Sequence, residues 1–517
     1  MKRFLLGIDL GTTNVKGILF DEDGFSIASS SDTYKTYFSE PFKAEQNPME
    51  WWAAVKNIIS AITKSAGSEK VKNISAICIS SQTPTLLPID KEGNPIRKAI
   101  IWMDKRSEKE FQYILDKIGS NKYRTIVGGA PDVSFLPSKL LWYKKHEPKN
   151  FAKTHIFLQA NSFINYKLTG KFSADIDQAT LSQCYDIKNK CWSKKIGSVI
   201  EIDLESYFPN PSENNTIIGF VTEEAAKATG LIEGIPVVAG TSDAVASMYA
   251  VGICNPCEAA EISGTSSLIF AGHTCQTDYF RPVVSKPSAI KGMPYVFDAP
   301  ISTTGASIKW FLDTLGDEEK ALASKENKNV YTVLNEKALL AAPGSNGLLF
   351  FPYMLGERAP LWNTHAKGMF IGITLNSKRE DIIRSIFEGT SFALRHVLEE
   401  IKKAGAPTTS LRVAGGGSLS RTWLQIKASV LNMPVLILDS KTGDVPFGDA
   451  LIAGNAVGIY TDLSKASKSL IIIKEIINPI PEWTAIYNEL FPYYISMYQN
   501  LDTDLKDFEA TINKIYK

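Results

Sequence analysis

Phe4-Leu5-Leu6-Gly7-Ile8-Asp9-Leu10-Gly11-Thr12-Thr13-Asn14-Val15-Lys16 is the stretch that decides the fold. The apolar run at 4–8 predicts a buried strand, and residues 15–20 predict a second, closed by Asp21-Glu22-Asp23-Gly24. Residues 25–30 give a third strand. Gly11-Thr12-Thr13 therefore falls at a hairpin tip and not at a helix start, which argues against a P-loop and a dinucleotide-binding fingerprint. Glycine lets the backbone approach a ligand closely, and threonine hydroxyls add donors beside backbone N–H groups. Such a tip suits phosphate oxygens. Lys16 lies just past it, where an ammonium can reach a phosphate. Taken alone, the same stretch is also a plain hairpin with a solvated lysine.

Two further groups of turns follow strand-like runs at 235–238 and 411–413. They are Gly240-Thr241-Ser242-Asp243, with Ser263-Gly264-Thr265-Ser266 soon after, and Gly415-Gly416-Gly417-Ser418. Together with the first tip they read as a nucleotide clamped between two lobes. Asp243 stands ahead of a helix-like stretch at 244–251. Phosphoryl transfer to an alcohol needs a carboxylate that takes the hydroxyl proton, and Asp243 is the candidate base. The bland reading is a helix cap, and one residue can do both. Asp9 beside a phosphate-binding turn repels nucleotide unless a cation intervenes, so its partner is Mg²⁺, directly or through water. An Asx turn within its own hairpin is the alternative.

Asp9-x-Gly11-Thr12-Thr13-x-x-Lys16, Gly240 to Asp243, Gly264-Thr265-Ser266 and the triple glycine resemble the FGGY family of carbohydrate kinases, in the superfamily of actin and hexokinase. Residues 368–388 fit that family's second signature at each constrained position. Residues 134–142 approximate the first, with departures at Leu136 and Tyr143. The resemblance, running from Phe4 to about Tyr460, implies an α/β fold of two ribonuclease H-like, actin-like ATPase domains flanking a nucleotide and sugar cleft. It implies ATP and Mg²⁺ as cofactors, with Gly11, Thr12, Thr13, Asn14, Lys16, Gly264, Thr265 and Ser266 on the phosphate side. Gly305 and Lys309 would lie against the nucleotide, and Gly416 and Ser420 near the adenosine. Helix-start packing is the other account of Gly305.

The acceptor is implied by the same resemblance. Ser81-Gln82-Thr83-Pro84-Thr85 aligns with the family's sugar-reading loop, and Asp104, Asp243 and Ala244 join Gln82, Thr83 and Pro84 as acceptor-binding candidates. A loop Asp such as Asp104 is as readily solvated or capping. Xylulose kinases are similar along most of the chain, and gluconate kinases share parts of it. Both carry Met-His where this chain has Thr83-Pro84, and xylulose kinases follow the catalytic Asp with Asn where Ala244 stands. Glycerol kinases place an Arg-Glu pair at Thr83-Pro84, so glycerol is disfavoured. The implied activity is ATP-dependent phosphorylation of a terminal hydroxyl of a sugar or polyol. D-Xylulose or a related pentulose leads, with gluconate or a sugar alcohol behind. A non-catalytic sugar or nucleotide sensor is the alternative of another class, and retention of Asp9, Thr12, Thr13 and Asp243 argues against it.

At 517 residues the chain exceeds one core, and the expected division is 1–253, 254–460 and a helical extension at 461–517 packed on the second lobe. With 56 basic and 55 acidic residues there is no electrostatic case for nucleic acid or an anionic membrane. The start faintly resembles a signal peptide, yet Asp9 and Lys16 interrupt any apolar core, and no uncharged run nears the ~20 residues that span a bilayer. The cytoplasm is the expected compartment. Oligomeric state is not fixed, and a homodimer is compatible. Among six cysteines, Cys254-Asn-Pro-Cys257 has half-zinc or redox spacing but reads as a turn before a strand at 258–262. Cys78, Cys184, Cys191 and Cys275 read as ordinary small residues. Asn47 as cap and Pro48 open a predicted helix to residue 62 with Trp51, Val55, Ile58, Ile59 and Ile62 as its buried stripe. Further helices are predicted at 306–315 and at 377–403, the second opened by a capping box Ser377-x-x-Glu380. Ser418 is read as another helix start.

Overall fold

The computed structural model describes residues 2–40, 42–274, 283–439 and 444–515; Cys275 lies outside them. The chain forms two compact units: 1–254 with 286–294 and 441–471, and 255–285 with 295–440 and 472–517.

In the first unit, β1 (Phe4–Leu10), β2 (Asn14–Asp21) and β3 (Ser26–Thr33) form an antiparallel meander. The helix α1 (Pro48–Ala66) follows, capped by the Asn47 side chain on the Met49 N–H, and it buries the expected stripe from Trp51 to Ile62. The next strand, β4 (Ile74–Ser81), pairs parallel with β1. On its other side lie β5 (Ile217–Phe220), β6 (Pro236–Val238) and the short β7 (Thr241–Ser242), which leads into α2 (Asp243–Ala250). The sheet order is β5-β6-β4-β1-β2-β3, with β7 also against β4.

The second sheet repeats the plan. Its strands are β8 (Ala259–Ser263), β9 (Ser267–His273), β10 (Val284–Ile290), β11 (Met293–Ile301), β12 (Leu411–Ala414), β13 (Val435–Leu438) and β14 (Ile473–Ile477), ordered β10-β11-β9-β8-β12-β13-β14. The strands β8, β9 and β11 are antiparallel, whereas β12 joins β8 in parallel and β13 joins β12. The set β3-β2-β1-β4-β6 and the set β11-β9-β8-β12-β13 thus share order and direction. This is the ribonuclease H-like plan in duplicate. The helices are α3 (Gly305–Thr314), α4 (Arg379–Lys403) and α5 (Arg421–Leu431), before α6 (Val445–Ala456) and the terminal α7 (Pro481–Ile515).

Three sequence expectations change. Residues 441–471 belong with the first unit, not with a second domain ending at 460 or with a terminal extension. The reason is α6, which packs on β1 and α2: a Cβ at Gly7 would lie 1.9 Å from the Pro446 carbonyl oxygen, and one at Gly448 1.9 Å from that of Ala246. Only glycine permits approach this close. The capping box of α4 sits one residue later than expected. The Asp381 carboxylate accepts the Lys378 N–H at 2.8 Å, while Ser377 Oγ serves the Thr374 N–H in the preceding turn. Residues 416–419 form a single 3₁₀ turn, and Ser420, accepting the Trp423 N–H, caps α5.

The second signature proves to be a structural anchor. Arg384 and Glu388, one turn apart on α4 and both buried, are bonded at 2.7 Å. The Tyr487 hydroxyl of α7 donates to the same Glu388 oxygen, so the signature ties the C-terminal helix into the core. Cys254 is buried and Cys257 exposed, in a turn where Cys257 has φ +64 and its N–H donates to the Gly272 carbonyl at 2.8 Å. Among the described residues no helix is long and apolar enough to cross a membrane.

Candidate active site

Register alone brings the two key carboxylates of the first unit together. Asp9 pairs with Ser80 of β4 on one side, and Thr241 and Ser242 pair with Ser80 and Ser81 on the other. Asp9 and Asp243 therefore flank the end of a single strand, about 10 Å apart by two strand spacings.

Ser242, not Asp243, caps α2: its Oγ accepts the Val245 N–H at 3.3 Å. Asp243 stands at the first helical position, half-buried, with Oδ1 accepting the Ala244 N–H at 2.8 Å. The cap reading of Asp243 is thereby set aside. The Asx reading of Asp9 fails as well, because Asp9 lies within β1 and its buried Oδ1 has no hydrogen-bond partner. Burial pushes the Asp9 carboxyl well above its ordinary range, the charges of Asp243 and Asp444 push it further, and Lys16 opposes them.

Lys16 faces Asp9 across the hairpin and is ion-paired with Asp444. Asp444, which also caps α6 by accepting the Val445 N–H at 3.1 Å, was not singled out from the sequence. Its signal was there: an Asp directly before Val445-Pro446 is a helix start. Asp449 was missed too. It is fully buried on α6, where its carboxylate accepts the Ser80 hydroxyl at 2.8 Å, and burial and the charge of Asp9 push its carboxyl up.

The hairpin tip is held from below. The Gly11 N–H donates to the Asn14 carbonyl at 3.0 Å, and the Tyr34 hydroxyl lies against the carbonyls of Gly11 and Asn14. The Gln46 amide donates to the Thr12 carbonyl at 2.7 Å, and the Trp102 indole to Thr12 Oγ1 at 3.0 Å. Thr13 and Asn14 remain exposed.

The loop of residues 82–85, the acceptor-binding candidate, leaves β4 directly after Ser81. Gln82 and Pro84 are buried, and Gln82 Oε1, Thr83 Oγ1 and Thr85 Oγ1 are buried without partners. Ala244 follows Asp243 at half exposure. Asp104 is placed differently from the sequence expectation. It is fully buried, and its two oxygens are spent on the Ala44 N–H at 2.6 Å and on the Arg106 guanidinium. It thereby ties the segment around Ala44 to Arg106.

In the second unit three turns converge. The Gly305 N–H donates to the Gly264 carbonyl at 3.2 Å, and the Ala306 N–H to that of Thr265 at 2.9 Å. A Cβ at Gly305 would lie 2.4 Å from the Gly264 carbonyl oxygen, and one at Gly417 2.1 Å from Ser263 Oγ. The helix-start packing of Gly305 and its place beside the Gly264-Thr265-Ser266 turn are thus one feature. Gly264, Thr265 and Gly416 are exposed on this face, and Ser420 Oγ donates to Asn335 Oδ1 at 2.6 Å. Lys309 lies one turn along α3, exposed and paired with Asp313 at 2.7 Å. Beneath the turns Lys427 and Glu261, both buried, are bonded at 2.7 Å.

Residues 4–250 match the N-terminal domain of the FGGY family of carbohydrate kinases, and residues 259–457 match its C-terminal domain. The chain belongs to this family. Among curated relatives of this FGGY chain, a xylulose kinase of Staphylococcus epidermidis is 29% identical over 502 residues, covering 96% of this chain and 97% of that one. A gluconokinase of Bacillus subtilis is 27% identical over 532 residues, covering 98% and 99%. Among solved structures, the xylulose kinase from Rhodospirillum rubrum superimposes with a TM-score of 0.85 at 26% identity, covering 98% of this chain and all of that one. The protein is an ATP-dependent carbohydrate kinase.

Proposed function

We propose that this enzyme transfers the γ-phosphoryl group of ATP to a terminal hydroxyl of D-xylulose or a related pentulose, with Asp243 as the base. The observation that carries the reading is the position of Asp243. It stands at the first turn of α2 with the capping duty taken by Ser242, directly after the strand β7 that pairs with the end of β4 beside Asp9. In a loose phosphoryl-transfer transition state the proton moves late, so the base needs no raised pKa. Xylulose is preferred because xylulose kinases recur among the relatives that align end to end. Gluconate is the second reading, on the gluconokinase relatives.

Mg²⁺ fits the first unit on the unpartnered, buried Asp9 Oδ1, which lies within the field of the Asp243 and Asp444 carboxylates. Among the described residues no three ligating side chains cluster closely enough to hold a metal alone. Asp9 would hold the Mg²⁺, and the ion would offset phosphate charge. Gly11, Thr12, Thr13, Asn14, Lys16, Gly264, Thr265 and Ser266 are assigned to the phosphates. Gly305, Lys309, Gly416 and Ser420 are assigned to the rest of the nucleotide. An ATP-consuming sugar kinase of this kind acts where ATP is supplied, in the cytoplasm.

Two measurements test the assignment. Thr265→Ala should raise the KM for ATP about five- to tenfold through one lost hydrogen bond to phosphate, with the acceptor KM little changed. Equal shifts in both would remove Thr265 from the nucleotide site. Purified enzyme should also be assayed for ADP release with D-xylulose, other ketopentoses, gluconate, sugar alcohols and glycerol. Turnover confined to gluconate replaces the first reading with the second. On the same panel, Thr83→Met with Pro84→His should shift preference toward D-xylulose, since Thr83-Pro84 offers one hydroxyl and no imidazole. An unchanged ranking would show that this pair does not read the sugar.

A further inference from the structure

Three side chains in series fix which end of the Gln82 amide is left over. The Trp51 indole can only donate, and it does so to Gln46 Oε1 at 3.0 Å. The polarity of the Gln46 amide is therefore set. Its Nε2 donates to the Thr12 carbonyl at 2.7 Å and to Thr36 Oγ1 at 2.8 Å. Gln46 Oε1 accepts a second bond, from Gln82 Nε2 at 2.7 Å, so the Gln82 amide is oriented in turn. What remains is Gln82 Oε1, an acceptor, buried and unpartnered on a residue only 1% exposed. Trp51 and Gln46 are both fully buried, and all four bonding positions of the Gln46 amide are filled.

A buried acceptor with no partner is costly, and Thr83 Oγ1 and Thr85 Oγ1 on the same loop share that state. A donor brought by a ligand would complete such groups. We propose that Trp51 and Gln46 are positioning residues that force Gln82 to show an acceptor, so that this loop selects a substrate presenting a hydroxyl O–H donor there. Gln46 also joins the loop to the phosphate-binding tip through the Thr12 carbonyl. The inference rests on the reading of the Gln82 to Thr85 loop as the acceptor site. It adds that a deoxy or O-methyl analogue lacking that donor is rejected, because it leaves Gln82 Oε1 buried and unmade.

The test uses whichever acceptor the wild-type enzyme turns over best, D-xylulose on the present reading. Gln82→Met, which keeps length and loses the oxygen, should raise the acceptor KM about tenfold and leave the ATP KM within about twofold. Trp51→Phe, which keeps the ring and loses the N–H, should move the acceptor KM in the same direction by about threefold. The double variant should be no worse than Gln82→Met, because one effect runs through the other. Gln46→Leu should raise both KM values. Additive effects, or a Trp51→Phe variant that raises both KM values alongside a lowered melting temperature, would overturn the relay.

A second readout does not depend on any sugar. In ¹⁵N-labelled protein the Trp51 indole N–H, identified by its loss in Trp51→Phe, should exchange slowly and become faster and shifted in Gln46→Leu. An unchanged indole signal sinks the relay even if the sugar assignment holds. If no panel sugar is turned over, the functional reading falls and the indole measurement alone decides the relay.

Discussion

Asp243→Asn is expected to lower turnover by about 10²-fold or more, roughly 2.7 kcal/mol of transition-state stabilisation. Asn keeps the shape of the side chain and an oxygen for the Ala244 N–H, which Asp243 now bonds at 2.8 Å. It removes only proton acceptance. The fold should be untouched, because Ser242 caps α2 and its hydroxyl and N–H are in turn held by the buried Asp177. Acceptor affinity measured by calorimetry and the melting temperature should match wild type while steady-state turnover collapses. A variant with near-normal kcat would end the assignment of Asp243 as base.

Asp9→Asn is expected to cost at least as much in kcat/KM for ATP, about 10²-fold, and raising Mg²⁺ should restore little. The same change should make the ligand-free protein more stable at neutral pH. Burial and the charges of Asp243 and Asp444 raise the Asp9 carboxyl well above the ~3.9 of an unfolded Asp. A raised folded value means that stability is fully present below the unfolded value and is lost as pH rises through the folded one. Asn carries no such penalty. The melting temperature of Asp9→Asn should therefore exceed that of wild type at pH 7–8, and the gap should close as pH falls toward about 4. Saturating Mg-ATP should stabilise wild type far more than the variant. Unchanged ATP kinetics together with a lower melting temperature at pH 7.5 would refute both the metal role and its electrostatic cause.

Most of the first unit's core was legible because its signals are local. The alternation around Gly11, the Asn47 cap with Pro48, and the apolar stripe from Trp51 to Ile62 each lie within a few turns of chain. What escaped was long-range. Asp444 and Asp449 meet Lys16 and Ser80 from more than three hundred residues away, and nothing in the local pattern of 444–449 announces those partners. Asp104 misled for a related reason. An Asp two residues before Arg106 reads as an open loop, but the guanidinium folds back on it and the Ala44 N–H closes the other side. The misplaced capping box arose from a local tie, since both Glu380 and Asp381 sit at cap spacing and Asn346 settles the choice by bonding Asp381 at 2.8 Å.

The packing of α6 against β1 and α2 bears on how the protein is made. Gly7 and Gly448 leave no space for any stand-in, so the groove over β1 is filled by that one helix. Yet α6 emerges from the ribosome after every strand of the second sheet but the last. At 5–20 residues per second the interval is on the order of ten seconds or more. Through it the nascent chain carries an uncovered apolar face, with Leu5 of β1, which lies against Gly454, and Phe20 of β2, which packs edge-on against Phe447, still lacking the cover that leaves them buried in the finished protein. A gene fragment stopped at residue 254 should accordingly yield a sticky, chaperone-bound product and not a free-standing half, whereas the same fragment co-expressed with 441–471 should recover solubility.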